Sequence, residues 1–238
     1  MDGAPATHIR QFLPHTATLL LLGAAAVGSI SGEPWGKTAS AVGWLGFGVL
    51  LLATSAGAAV RNRGTRRLGW LAFAGAGAIS LVGLAGWLSG QSGDYPGFAD
   101  YIFLSTIPCV VAGMLAMYPR WQAGLYRVIA ALDTGILACA GAIILTLTLY
   151  DPVATSSRST AYIVTALATP VLWTAAALSG LRLVWLLAGR GLRRAELLLA
   201  VAVTVHAVCA TIYAAQLLQG GYDLGGALDA GYHVSSAL

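Results

Sequence analysis

Seven apolar stretches, each long enough to cross a lipid bilayer, make up most of this 238-residue chain. A helix needs about 20 mainly apolar residues to cross the hydrocarbon core, because each residue advances it by about 1.5 Å. The stretches lie at about 13–31, 39–60, 68–89, 98–118, 125–149, 160–188 and 195–218. Hydrophobic residues make up 58% of the chain and charged residues 9%, against about a quarter charged in soluble domains. We therefore predict an all-α, polytopic transmembrane helix bundle, a single integral membrane domain over residues 1–238 with no soluble domain.

An eighth apolar segment begins near residue 224 and reads LGGALDAGYHVSSAL. As a helix, these 15 residues would extend about 22 Å, less than the roughly 30 Å hydrocarbon core. The sequence predicts seven complete spans and an eighth at the C-terminus. It leaves open whether the eighth span is complete.

Basic residues predict the orientation, since arginine and lysine in short loops are retained on the cytoplasmic side. Alternate loops place eleven of the thirteen basic residues on one side of the membrane. These are Arg10, Arg61, Arg63, Arg66, Arg67, Arg120, Arg127, Arg182, Arg190, Arg193 and Arg194. Only Lys37 and Arg158 lie on the other side. We expect a multi-pass membrane protein with a cytoplasmic N-terminus.

The net charge of +4 does not indicate nucleic-acid binding, because the basic residues are spread over four loop edges and form no single patch. The lipid bilayer is the partner that the composition predicts. The chain also contains no phosphate-binding glycine loop, no histidine pair at metal-binding helical spacing and no nucleophile elbow. We therefore expect no catalytic activity in this chain, and no cofactor or metal ion.

Asp133 is an ionisable residue within a predicted span, which is the usual place to look for function in a membrane protein. It lies about two turns into the fifth span and needs a hydrogen-bond donor. Arg127, Arg182 or a threonine hydroxyl could supply one. The sequence leaves open whether Asp133 makes a structural interhelical bond or binds a proton or ligand.

Two histidines fall within apolar segments. His206 lies near the middle of the seventh span, and His233 follows Asp229 by one turn in the eighth. His206 suits a hydrogen bond between helices. A metal site would need further ligands, and His233 is the only other histidine on a span that could approach it.

The stretch DYPGFADYIFLSTIPCVVAG introduces the fourth span with Asp100 at its external end. Asp100 could accept hydrogen bonds from free backbone amides and so cap the helix. Alternatively, an aromatic-rich cup of Tyr95, Phe98, Tyr101 and the loop QGGYDLGG could receive an external ligand. Its polar groups would be Asp100, Asp223 and Asp229.

Two prolines, Pro108 and Pro170, fall within the fourth and sixth spans. A proline inside a helix frees a backbone carbonyl and bends the helix. The two kinks could line a pocket between these spans, or serve only the shape of the bundle. Tyrosines and tryptophans at span ends, among them Tyr118 and Tyr222, suggest anchors at the membrane interface.

The stretch YPGFADYIFLSTIPCVVAGML resembles a segment in the N-terminal membrane regions of bacterial, largely actinobacterial, signalling proteins that carry GGDEF and EAL domains. Those regions show a span entrance of the form P-S-x-A-D-x-x-Y/F-L, then a central proline and a later glycine. The matching residues are Pro96, Ala99, Asp100, Phe103, Leu104, Pro108 and Gly113. Leu132 and Asp133 resemble the "LDA" span of that family, and GGYDLGGALDAGYHVSSAL resembles its last span.

The chain departs from the family pattern at two places. ATPVLWTAAAL lacks the aspartate that commonly follows the proline of the sixth span, and Tyr232 and His233 stand where a tryptophan is usual. A polar network running through these positions would differ here.

The resemblance implies a sensory or anchoring module in a bacterial inner membrane. It would control cyclic-di-GMP synthesis or hydrolysis by cytoplasmic GGDEF or EAL domains outside these residues. A homodimer would suit a diguanylate cyclase output. The alternatives are a small-solute transporter or membrane enzyme, and an orphan structural membrane protein. The candidate ligand or signal residues are Asp100, Asp133, His206, Asp223, Asp229 and His233, and the nature of the signal is left open.

Overall fold

The fold is a bundle of helices. The computed structural model of the protein describes residues 35–89, 95–118, 125–188, 194–220, 222 and 226–237, with five positions between 20 and 28. Six helices are long: α1 (Trp35–Arg61), α2 (Gly64–Leu88), α3 (Phe98–Ala116), α4 (Leu125–Thr148), α6 (Thr160–Leu187) and α7 (Arg194–Gln219). Two are short: α5 (Tyr150–Ala154) and α8 (Ala227–Ala237). No strand occurs in these described ranges.

All six long helices are long and apolar enough to cross a membrane. They match the second to seventh predicted spans and confirm an all-helical, multi-pass membrane bundle. The first predicted span, 13–31, lies largely outside the described residues. The count of seven complete spans and the cytoplasmic N-terminus stay predictions.

Helix α8 differs from the other predicted spans in length. Its 11 residues extend about 16 Å, roughly half of the hydrocarbon core. It begins at Ala227, three residues after the predicted start, and packs against α7 and α1. As described, α8 therefore reaches from one end of the bundle to about mid-depth.

The core forms where α2, α3, α6 and α7 meet. Its largest buried side chains include Phe73, Ile107, Met114 and Leu183. Helix α4 lies outside this core and packs on α6. Large apolar side chains along α4 stay exposed, as expected for a helix that faces lipid. They include Leu132, Ile136, Ile143, Ile144 and Leu147.

Glycines allow neighbouring helices to approach closely. A Cβ atom on Gly69 of α2 would lie 2.9 Å from the Gly113 carbonyl oxygen of α3. A Cβ atom on Gly77 would lie 2.9 Å from the backbone nitrogen of Leu52 on α1. Backbone atoms cannot yield as a flexible side chain can, so these contacts require glycine.

Helices α3 and α6 continue through Pro108 and Pro170, so neither proline ends its helix. Hydroxyl groups near the prolines bond to backbone carbonyls one turn earlier. Thr106 donates to Phe103 O at 2.7 Å, and Thr169 donates to Thr165 O at 3.2 Å. Such bonds are common in membrane helices that contain proline.

Candidate functional site around the last helix

Helix α8 carries the most deeply buried ionisable side chains that the structure describes. Asp229 and His233 are each 1% exposed. They lie one helical turn apart, so both side chains lie on the same face of α8. Buried ionisable groups in a membrane bundle are costly, which makes this pair a candidate functional site.

Two hydroxyl groups hold the Asp229 carboxylate. Ser40 Oγ of α1 donates to Oδ2 at 3.0 Å, and Tyr222 Oη donates to Oδ1 at 2.8 Å. Asp229 is thus tied both to α1 and to the segment that leads into α8. It is not an accessible polar group of an open cup, as the ligand interpretation of the sequence required.

The imidazole of His233 is enclosed by aromatic rings. The Phe47 and Trp44 ring centroids each lie 5.3 Å from its own, with Phe47 stacked and Trp44 tilted. Neither ring nitrogen has a hydrogen-bond partner among the described residues. Gly43 makes room for the ring, because a Cβ atom there would lie 2.8 Å from Cε1 of His233.

His206 of α7 makes the interhelical hydrogen bond that its position suggested. Its Nδ1 lies 2.9 Å from Ser235 Oγ of α8. The Ser235 hydroxyl also donates to Tyr232 O within α8, at 2.8 Å. The His206 ring also contacts Trp173 of α6, with ring centroids 3.8 Å apart.

The two histidines are separated by other rings and do not converge. Tyr232 and Trp44 link the two histidines in a row of rings, with centroid distances of 4.7 Å from His206 to Tyr232, 5.4 Å from Tyr232 to Trp44 and 5.3 Å from Trp44 to His233. Within the described part of the chain, no three histidine, cysteine or acidic residues form a group that could hold a metal ion. A row of aromatic rings thus connects α6, α7, α8 and α1.

A cluster of tyrosines covers the end of the bundle at which α8 begins. Tyr95 packs edge-on against Tyr162, and Tyr213 against Tyr222, each pair with ring centroids 4.7 Å apart. Burial, and then the Asp229 carboxylate, raise the pKa of Tyr222 above its usual range. Tyr222 was predicted to be an interface anchor, but it is instead a hydrogen-bond donor to Asp229.

The predicted aromatic cup forms only in part. Tyr95 and Tyr222 pack against the same apolar cluster, but Phe98 and Tyr101 are 61% and 52% exposed and face outward. Asp223 lies outside the described residues. The cup therefore consists of the tyrosine cluster, without the two aromatic residues at the start of α3.

Asp100 makes the capping contact that its position predicted. The Gly97 backbone amide donates to Asp100 Oδ2 at 2.8 Å, at the start of α3. A carboxylate in the first turn also complements the positive end of the helix dipole. This contact accounts for an acidic residue there, whereas a sensing role for Asp100 stays a hypothesis.

Asp133 and Arg182 form an ion pair near the opposite end of the bundle. Arg182 Nη1 of α6 donates to Asp133 Oδ2 of α4 at 2.7 Å. Arg182 was one of the expected donors, and the side chain of Arg127 is not among those the structure describes.

Near this ion pair, Tyr118 is 2% exposed and donates to Ser179 O at 3.2 Å. Tyr118 is therefore a buried donor and not the predicted interface anchor.

A small cavity of about 70 Å³ lies at this same end, between the first turns of α2 and α7. Arg66 and Glu196, which line it, form an ion pair of 2.8 Å. Asn62, Trp70 and Met117 complete most of the lining. This cavity is not the pocket that Pro108 and Pro170 suggested.

The sequence analysis did not identify several residues of the α8 site, among them Ser40, Trp44, Phe47 and Ser235. Ser40 and Gly43 belong to one buried stripe of α1, which also contains Phe47. The spacing of three and four residues within this stripe is the helical signal that could have identified Ser40. Nothing in the sequence, however, pairs that stripe with α8.

Comparison of the chain with protein-family models, with curated proteins and with solved structures finds no match. The resemblance to signalling membrane regions therefore depends on the short motifs quoted above. The contacts of Asp229, His233 and His206 are thus the basis for the function of this site.

Proposed function

We propose that this chain is the membrane-embedded sensory and anchoring input module of a bacterial signalling protein. It has no catalytic activity of its own and controls cyclic-di-GMP synthesis or hydrolysis by cytoplasmic GGDEF or EAL domains outside these residues. The short motifs around Asp100, Asp133 and Asp229 support this family of functions. The packing of α8 supports a transmitting role.

The observation that carries the proposal is that α8 contacts the bundle through buried polar side chains along its length. Asp229 at its start bonds to Ser40 of α1, and Ser235, near its end, bonds to His206 of α7. The segment around Tyr222 leads into α8 at one end of the bundle. A shift of this segment would therefore also move the side chains near the end of α8, such as Ser235, at about mid-depth. A sensor that passes a signal along its last helix needs this kind of coupling.

We further propose the orientation that the basic residues predict. The N-terminus and the paired Arg66 and Glu196 would lie at the cytoplasmic side, and Asp100, Tyr222 and Asp229 at the external side. An eighth helix entering from outside would then lead toward the cytoplasm, where GGDEF or EAL domains have access to GTP. Dimerisation of the module would suit a diguanylate cyclase output.

The test begins with the gene. We expect coding sequence for GGDEF or EAL domains in frame beyond codon 238, or in an adjacent gene. Cyclic di-GMP is then measured in cells that express the whole gene product, as wild type and as Asp229→Asn. Asp151→Asn is the matched control, because Asp151 is exposed on the short helix α5. We expect the Asp229 variant to change the nucleotide level and the control to leave it unchanged.

Two results would contradict the signalling function. One is the absence of any such coding sequence in or beside the gene. The other is a cyclic-di-GMP level that does not respond to expression of the protein or to Asp229→Asn.

A small-solute carrier is the second candidate, and the same buried pair favours it. Carriers that couple transport to protons use acidic residues and histidines inside the bundle. Uptake of a solute into proteoliposomes, driven by a pH gradient and lost in Asp229→Asn, would support the carrier and argue against the sensor.

A further inference from the structure

We propose that Asp229 and His233 form a proton-binding site, in which the His233 ring takes up one proton and pairs with the Asp229 carboxylate inside an aromatic enclosure. The ligand is a proton from the aqueous phase at the Tyr222 end of the bundle. This inference goes beyond the proposed function and does not depend on it, since a sensor and a carrier could both use such a site.

His233 has unused hydrogen-bonding capacity. A neutral imidazole presents one N–H donor and one nitrogen acceptor. Both ring nitrogens are buried, and neither has a partner among the described residues. Buried polar atoms are nearly always paired, so an unpaired ring of this kind requires an explanation. A second proton on the acceptor nitrogen changes the ring from an unpaired dipole into a cation that its surroundings can stabilise.

The surroundings suit a cation. The rings of Phe47 and Trp44 have their centroids 5.3 Å from that of His233. A cation within about 6 Å of an aromatic centroid is attracted to the electron-rich face of the ring. These aromatic rings, together with the Asp229 carboxylate one helical turn away, could thus replace water around an imidazolium.

Asp229 supplies the opposite charge. It precedes His233 by one turn on the same face of α8, the spacing at which side chains of opposite charge interact along a helix. Ser40 and Tyr222 each donate to one of its carboxylate oxygens, which holds the carboxylate on this face of α8.

The charge balance follows from this pairing. With His233 neutral and Asp229 ionised, the pair carries one negative charge. Uptake of one proton by the ring brings the net charge to zero and breaks no covalent bond. Burial opposes an isolated charge, whereas a nearby opposite charge favours ionisation, so the two groups stabilise each other's charged forms.

Other ionisable groups near α8 are few and otherwise engaged. The stretch 40–47 of α1, whose buried side packs on α8, includes no ionisable side chain, and Lys37 lies one turn earlier and is exposed. On α7, His206 bonds to Ser235, Cys209 packs against Gly231, and Tyr213 packs edge-on against Tyr222, which donates to Asp229. On α8 itself, Tyr232 lies within the row of rings. Asp229 and His233 are thus the pair that proton uptake would change.

The test is a titration of the full chain in lipid nanodiscs, followed by NMR of ¹⁵N-labelled histidine and ¹³C-labelled aspartate carboxyl groups. The chain has four histidines, so variants of His8, His15 and His206 assign the His233 ring signals by elimination. We expect the His233 ring to gain a proton between about pH 8 and 4, and the Asp229 carboxyl signal to move with the same midpoint. In Asp229→Asn, the proton affinity of the ring should fall at least about tenfold.

The wild-type protein alone can overturn the proposal, even if a variant does not fold. A His233 ring that stays neutral over this pH range would refute proton binding. A ring that titrates without any movement of the Asp229 signal, or with the same midpoint in Asp229→Asn, would refute the pairing. None of these results depends on a cyclic-di-GMP output, so failure here is distinguishable from failure of the proposed function.

Discussion

Arg182 of α6 donates a 2.7 Å hydrogen bond to Asp133 of α4, and this ion pair joins the peripheral helix α4 to the bundle. Elsewhere α4 presents mainly apolar side chains to its surroundings. Removal of either partner would leave the other charge unpaired at the edge of a lipid-facing helix. The consequence is testable because the chain offers a solvent-exposed aspartate for comparison.

We expect Arg182→Met or Asp133→Leu to lower the free energy of unfolding by about 1.5–3 kcal/mol, the usual range for a hydrogen bond to a charged group. The double variant should lose less than the sum of the two, because it leaves no charge unpaired. Thermal and denaturant unfolding in detergent micelles measure these values. Asp151→Leu is the control, and an equal loss in that variant would refute the role of the ion pair.

Gly69 and Gly75 of α2 allow a comparison between a close helix contact and an open position in the same helix. A methyl group at Gly69 would contact the Gly113 carbonyl oxygen at 2.9 Å, whereas one at Gly75 would meet nothing within 4 Å. We expect Gly69→Ala to destabilise the protein by about 1–3 kcal/mol, because α2 and α3 must separate. Gly75→Ala should be neutral or stabilising by up to about 1 kcal/mol. Equal melting temperatures for the two variants would contradict the close approach of these helices.

Variants of Asp100 test whether this residue caps the start of α3. Asp100→Asn retains an oxygen acceptor for the Gly97 amide and removes only the charge, so we expect a loss of stability below about 1 kcal/mol. Asp100→Ala removes the acceptor and should cost more. If the asparagine variant stays folded but no longer responds to external pH or cations, the sensing hypothesis for Asp100 gains support. A response equal to that of the wild type would leave Asp100 as a cap alone.

Tyr222 is the donor to Asp229 that can be changed most conservatively. Tyr222→Phe keeps the ring and removes the hydroxyl, so the buried Asp229 carboxylate loses one of its donors. We expect a loss of about 1–3 kcal/mol, measured by denaturant unfolding in micelles. Tyr101→Phe is the matched control, since Tyr101 is 52% exposed. A similar loss in both variants would argue against a special role for the hydroxyl of Tyr222.

Tyr222→Phe should also change how the free energy of unfolding depends on pH. The pKa of Tyr222 is raised in the folded protein, so its contribution to stability is complete below the unfolded value of about 10 and is lost as the pH rises above it. The wild type should therefore lose stability more steeply above about pH 10 than Tyr222→Phe does. Parallel curves in alkaline solution would contradict the burial of this hydroxyl.

The orientation can be tested with reporter fusions. We expect fusions after Arg67, Gly124 and Arg193 to report a cytoplasmic location, and fusions near Gly36, Gly93 and Ser156 an external one. The reason is the retention of arginine-rich loops at the cytoplasmic side. The reverse result at two or more sites would overturn the proposed orientation.

The sequence by itself determined the class of the protein and the positions of its long helices. Length and hydropathy suffice for this, because lipid offers no hydrogen bonds and each segment must satisfy its own backbone as a helix. The six long helices accordingly match predicted spans. The cap at Asp100 and the donor of Asp133 could be anticipated for a similar reason, since a helix start and an intramembrane carboxylate each need a partner of a known kind.

Only the tertiary structure decided which polar groups meet. Ser40 and Asp229 are 189 residues apart in the chain, and no local pattern connects them. The enclosure of His233 by Trp44 and Phe47 depends on how α8 packs against α1, and the contact of His206 with Ser235 on its packing against α7. In lipid, hydropathy places a helix in the membrane but does not select its neighbours, because every apolar face is equally compatible with lipid tails. Close packing and a few buried hydrogen bonds make that selection, and they assemble the Asp229 and His233 site.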